Sequence, residues 1–129
     1  MRFLLMIKST ENQSAGGPPF ALIEAIGKLG EEATKDGTLL DQGGLLPTAM
    51  GAEVHLSDGK VTVVDGPFSE AKEVIGGYAM YQLRSKEEAI EAGRKFMQLH
   101  ADYWPGFTAS CEIRQLFEAG DFDPDALRG

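Results

Sequence analysis

"KVTVVDGPFSEAKEVIGGYAMYQLRSKEE", Lys60 to Glu88, carries three structural signals in succession. Val61, Thr62, Val63 and Val64 form a β-branched run of strand length. Asp65-Gly66-Pro67 stops that run, since proline has no N–H to give to a central ladder. Gly76-Gly77 then opens a second apolar run, Tyr78 to Leu83, which reads as another strand. Ser85, with Glu88 three residues on, makes a capping box and so marks the start of a helix.

Upstream, Ser57-Asp58-Gly59-Lys60 is a hairpin signal, because Asp-Gly favours the turn that matches strand twist. With Asp58 and Gly59 as the loop, Leu56 meets Val61 and Val54 meets Val63 on an aliphatic face. His55 meets Thr62 and Glu53 meets Val64 on a mixed face. Such a hairpin is expected to pack on one side. The same parity puts Asp65 on the aliphatic side, where a carboxylate needs a partner or an open end.

Farther out, Phe3 to Ile7 is an apolar run fit for a strand covered on both faces. Pro18 and Pro19 suit the first turn of a helix, over which Phe20, Ile23, Ile26, Leu29, Gly30 and Ala33 recur at helical spacing. Gly37 stands where a left-handed helix end is expected. Downstream of Ser85, Ala89, Ile90, Gly93, Phe96, Met97 and His100 share one stripe, with Trp104 in phase, and Pro105-Gly106 ends the helix. Ala109, Cys111, Ile113, Gln115 and Phe117 then alternate along a last strand. The order is strand, helix, strands with a hairpin, strand, helix, strand. It predicts an α+β sandwich of the ferredoxin-like kind, with two helices on a mostly antiparallel sheet. Residues 1–118 make the domain and 119–129 an acidic C-terminal arm. One sheet face lies under the helices, and the apolar strands predict that the other meets a second copy, giving a homodimer.

The chain has 129 residues and a net charge of −8. One domain is the expectation. Nucleic-acid binding is not expected, since phosphates call for a basic face. Cys111 is the single cysteine, so no internal disulfide and no multi-cysteine metal site can form. The apolar run at the start is too short for a signal peptide, and no segment has the length of a membrane span. A cytoplasmic protein with no membrane partner is expected.

The ionisable residues near the Asp65 strand end are candidates for a site, because loops at strand ends often carry function. Asp65, Glu70, Lys72 and Glu73 would line a pocket there, with Tyr78, Tyr81 and Trp104 as walls. Alternatively, Asp65 to Phe68 only terminates a strand and tucks Phe68 into the core. Asp65 and His100 are the candidate catalytic residues; His100 could act as a general base if a substrate reached it, or sit at the core edge bonded to a carbonyl. His55 reads as exposed or at an interface, and Cys111 as a small buried apolar residue. Two distant histidines and one cysteine give no metal-site spacing. Neither Gly43-Gly44 nor Gly76-Gly77 has the spacing of a phosphate loop, and no cofactor is implied. Gly76-Gly77 suits close backbone approach at a strand start.

"GGLLP", "DGKVTVVDGPFSEAKEVIGGY", "SKEEAIEAGRKF" and "CEIRQLFE" together resemble the DGPF-domain branch of the YCII-related family, over about residues 1–118. The resemblance implies a dimeric α/β-barrel fold and a bacterial source. It also implies genes near extracytoplasmic-function sigma factors, and hence a non-catalytic accessory module as the alternative to a small-molecule protein. Some YCII-related proteins use a histidine–aspartate pair as acid and base, and one group eliminates chloride from a chlorinated hydroquinone. Their histidine lies on the first helix, whereas Phe20 to Lys35 here contains none, so that pair does not carry over.

Overall fold

The computed structural model describes residues 1–11, 16–68 and 71–121. Six strands and two helices follow in the expected order. They are β1 (Arg2–Ser9), α1 (Phe20–Lys35), β2 (Leu39–Gly44), β3 (Ala52–Ser57), β4 (Lys60–Asp65), β5 (Val74–Gln82), α2 (Lys86–Tyr103) and β6 (Ser110–Gln115). Four strands form one sheet in the order β2-β5-β1-β6, every neighbour antiparallel. The hairpin β3-β4 stands as a separate two-stranded sheet. Without the hairpin, the remaining elements read βαββαβ, the ferredoxin-like arrangement of two helices on one antiparallel sheet. No described helix is long and apolar enough to cross a membrane.

Strand parity sorts the sheet into two faces. Phe3 lies opposite Tyr81, and Leu5 opposite Ala79 and Ile113. These residues, with Leu39 and Ala89, build the core under the helices. Phe3 and Leu22 are the largest side chains that are fully enclosed, each worth about 1.5–3 kcal/mol by transfer of apolar surface. Leu4, Met6 and Met80 point to the other face, where they are half-buried between neighbours, with no described helix or strand paired above them.

Helix α1 differs from its sequence pattern at its first turn. Leu22 is enclosed, while Phe20 and Ile23 are 77% and 51% exposed. Ile26, Leu29, Gly30 and Ala33 do turn inward. The face therefore runs 22, 26, 29, 30, 33, and Phe20 belongs to the approach to the helix rather than to its buried stripe. The helix closes as expected: Gly37 has φ +81°, its N–H meets Thr34 O, and that of Thr38 meets Ala33 O, a Schellman pattern.

On α2, Ala89, Gly93 and His100 are buried, and Ile90, counted in the stripe from sequence, is exposed. Ser85 caps the helix by accepting from Glu88 N–H at 3.2 Å. The reciprocal half of the capping box moves by one residue. The Glu88 carboxylate accepts from Arg84 N–H and Arg84 Nε, both at 3.0 Å.

The hairpin register is the one predicted, with Val54 opposite Val63 and Leu56 opposite Val61. Asp58 and Gly59 both have positive φ, as the primed turn requires. Within the chain its aliphatic face is open: Val54, Leu56, Val61 and Val63 are each 67–74% exposed. Phe117 is likewise 79% exposed, because β6 ends at Gln115. Of the acidic arm, Ala119–Asp121 form a 3-10 turn, and residues 122–129 lie outside the described residues.

Candidate functional site: a cleft at one end of the helix–sheet interface

A cleft of about 1040 Å³ opens where α1 begins and α2 ends. Its sheet wall is shaped by missing side chains. Gly44 pairs with Gly77 across β2 and β5, and Gly77 pairs with Ile7 of β1. Glycines thus thin this end of the sheet, which Ile7, Val74 and Ile75 also line, while Leu22 and Ile26 of α1 and Phe96 of α2 stand as the other wall. A Cβ on Gly77 would come within 3.1 Å of Gly43 O, so glycine lets the strands approach here without a backbone shift.

His100 lines the cleft from the last full turn of α2 and is 7% exposed. Its Nδ1 lies 3.0 Å from Phe96 O. A carbonyl only accepts, so Nδ1 carries the proton and Nε2 is left with a lone pair. Burial pushes the imidazole below its ordinary pKa, opposed in part by the bond to Phe96. The ring is therefore a neutral base at physiological pH. Aromatic rings hold it in place. Phe96 lies 4.7 Å away, and Phe107 stacks on it at 5.7 Å. Trp104 stacks on Phe107 at 4.1 Å, with the planes within 4°.

At the rim, Thr48 ties three segments together. Its Oγ1 donates to the Glu11 carboxylate, whose oxygens lie at 2.7 and 2.9 Å. The same hydroxyl accepts from Phe68 N–H at 3.1 Å. Gly66 N–H meets Gly51 O, and a Cβ on Gly66 would run into Thr48 O. The Asp65–Phe68 turn is thus braced against the 3-10 turn Thr48–Met50, whose Pro47 and Thr48 border the cleft.

The residues singled out from sequence fall in different places. His100, Trp104 and Tyr78 border the cleft. The Tyr78 hydroxyl, however, donates to Asp41 Oδ2 at 3.0 Å, and the ring shares the face of Met6 opposite the helices. Tyr81 is a core residue, 8% exposed. It lines a separate void of about 20 Å³, room for roughly one water. Burial raises its phenol pKa. Asp65 is exposed at the end of the hairpin and accepts nothing from the turn among the described residues; Lys72 and Glu73 are also exposed. None of the three is among the described residues lining the cleft. Glu70 lies outside the described residues. Cys111 packs against the core, and burial raises its thiol pKa. His55 is on the exposed hairpin, 3.6 Å from Glu53. Phe107, Glu11 and Thr48 were not legible as site residues. Phe107 follows a helix-ending Pro-Gly, and the other two sit in turns far apart in sequence.

The sandwich, its cleft and its Asp65–Phe68 turn define a small α+β protein with an open cleft at one end. The YCII-related domain matches residues 1–114, and the chain belongs to that family. It is also 33% identical over 72 residues to "Uncharacterized protein R00369" of Rhizobium meliloti (strain 1021). That match takes in 56% of this chain and 54% of the relative, so the chain spans about half the length of the curated protein it matches.

Proposed function

We propose that this chain binds a small, uncharged, largely apolar molecule in the cleft, with His100 Nε2 accepting a proton from it as a general base. The observation that carries this reading is His100 itself. It is a neutral imidazole with one nitrogen committed to a carbonyl, set among stacked aromatic rings in a cavity large enough for a ligand. The described lining includes no lysine or arginine, which disfavours phosphorylated ligands. We also read the Asp65–Phe68 tetrapeptide as the mark of the DGPF branch. Its part in this reading is to brace the rim through Thr48, and Asp65 takes no part in the chemistry.

Trp104 is the single tryptophan and lines the cleft, so its emission reports occupancy. Titration with a panel of substituted phenols is expected to give saturable quenching. His100→Asn keeps an N–H for the Phe96 carbonyl but removes Nε2, and should weaken binding of the more acidic phenols at least tenfold with an unchanged circular dichroism spectrum. Asp65→Asn should bind as the parent does. No saturable change with any phenol, or an unaltered affinity in the His100 variant, would overturn the reading.

A further inference from the structure

We propose that Glu11 is the specificity-determining group of the cleft, and that the ligand it selects is a phenol with a side arm ending in a hydroxyl. The proposal rests on the reading of His100 given above and adds a second anchor to it. The cleft, at about 1040 Å³, lies at the upper end of ligand pockets, which run from about 300 to 1,000 Å³. A single phenol ring held at His100 fills a small part of that space. A ligand that uses the cleft extends along it and meets other polar groups.

Glu11 is the one charged residue in the described lining. It lies two residues past the end of β1 and is half-buried. Thr48 holds its carboxylate: the Thr48 N–H reaches Oε1 at 3.2 Å, and the Thr48 hydroxyl lies 2.9 Å from Oε1 and 2.7 Å from Oε2. Thr48 thus brings two protons. A carboxylate offers about four lone-pair sites, so part of its accepting capacity is unclaimed among the described residues. No hydrogen bond or ion pair joins Glu11 to His100 among the described residues, and the two groups are free to hold different parts of one ligand. The other polar side chains of the described lining do not select a donor in this way. Ser9 and Gln42 both give and accept hydrogen bonds, and the Trp104 N–H only donates. The hydroxyls of Tyr78 and Thr48 are committed to Asp41 and Glu11. The Glu11 carboxylate only accepts. It favours an O–H at the end of the arm, gains nothing from an ether there, and repels a second carboxylate.

Titrations of the full chain read by Trp104 emission are the test, with three matched series: phenols bearing para hydroxyalkyl arms of increasing length, their terminal methyl ethers, and the corresponding carboxylic acids. In the parent, the best alcohol is expected to bind about tenfold or more tightly than its ether, the range for a hydrogen bond to a charged acceptor, and the acid to bind more weakly than either. Glu11→Gln keeps an oxygen for Thr48 and puts an NH₂ in place of the other. In that variant the alcohol is expected to lose its advantage over the ether, and the acid to gain on both. An ether that matches its alcohol at every arm length in the parent overturns the proposal and leaves the reading of His100 standing, since the phenols still bind. An alcohol preference that Glu11→Gln leaves intact overturns it as well. The absence of saturable binding by any phenol overturns both readings. The comparison of alcohol with ether uses the parent alone, so it decides the matter even where Glu11→Gln does not fold.

Discussion

A side chain at position 66 has nowhere to go, because Thr48 O occupies the space a Cβ would take. Gly66→Ala should therefore destabilise the fold by about 3 kcal/mol, the upper range for overpacking, seen as a lowered urea midpoint with an unchanged slope. Thr48→Val removes the hydroxyl that serves both Glu11 and Phe68 and should cost about 1 kcal/mol as two partly buried hydrogen bonds are lost. The sequence shows that Asp65-Gly66-Pro67 must stop a strand, since proline and glycine act locally. It does not show what the turn grips, because Thr48 and Glu11 arrive from distant segments whose side chains have no pattern in common. The parity count for Asp65 is correct, and of the two options it leaves, a partner or an open end, the second is found. The aliphatic face it shares is open, so the group meets solvent.

The two helices show how far periodicity reaches at the scale of an element. On α2 the cap is legible, since Ser85 needs only a neighbouring N–H. Ser85→Ala should lower stability by about 1 kcal/mol, read from the shift in thermal midpoint. On α1 the first turn is misread, because Phe20 and Leu22 are both apolar and only contact with the sheet chooses between them. Leu22→Ala should accordingly cost about 2–5 kcal/mol, as for an enclosed leucine, whereas Phe20→Ala should change the denaturation midpoint by little. The hairpin register follows from a two-residue turn whose geometry is set by Asp58 and Gly59. Its lack of packing within the chain does not, since alternation states which face is apolar and not what covers it.

For the whole molecule, element order was enough to give the sandwich, because two helices and an antiparallel sheet have few ways to bury one face each. The cleft was hidden, since Gly44 and Gly77 create it by what they lack, and His100 and Phe107 meet only in three dimensions. Acid sensitivity should follow two separate windows. His100 has a depressed pKa in the fold, so the unfolded chain takes up the proton first. Its contribution is complete above the ordinary value of 6.5 and declines as pH falls from there toward the lower folded value. The carboxylates of Glu112 and Glu118 are held down mainly by hydrogen bonds from Lys8 and Arg2. Their contributions are present above 4.5 and are lost as pH falls through the folded values. Urea midpoints against pH should show both declines, and His100→Asn should remove only the upper one. The cleft, whose described lining holds no fixed cation, has one more consequence. An occupant of the proposed kind would be drawn in by partitioning out of water rather than by long-range attraction, so its affinity should be nearly flat with ionic strength across dilute to physiological salt.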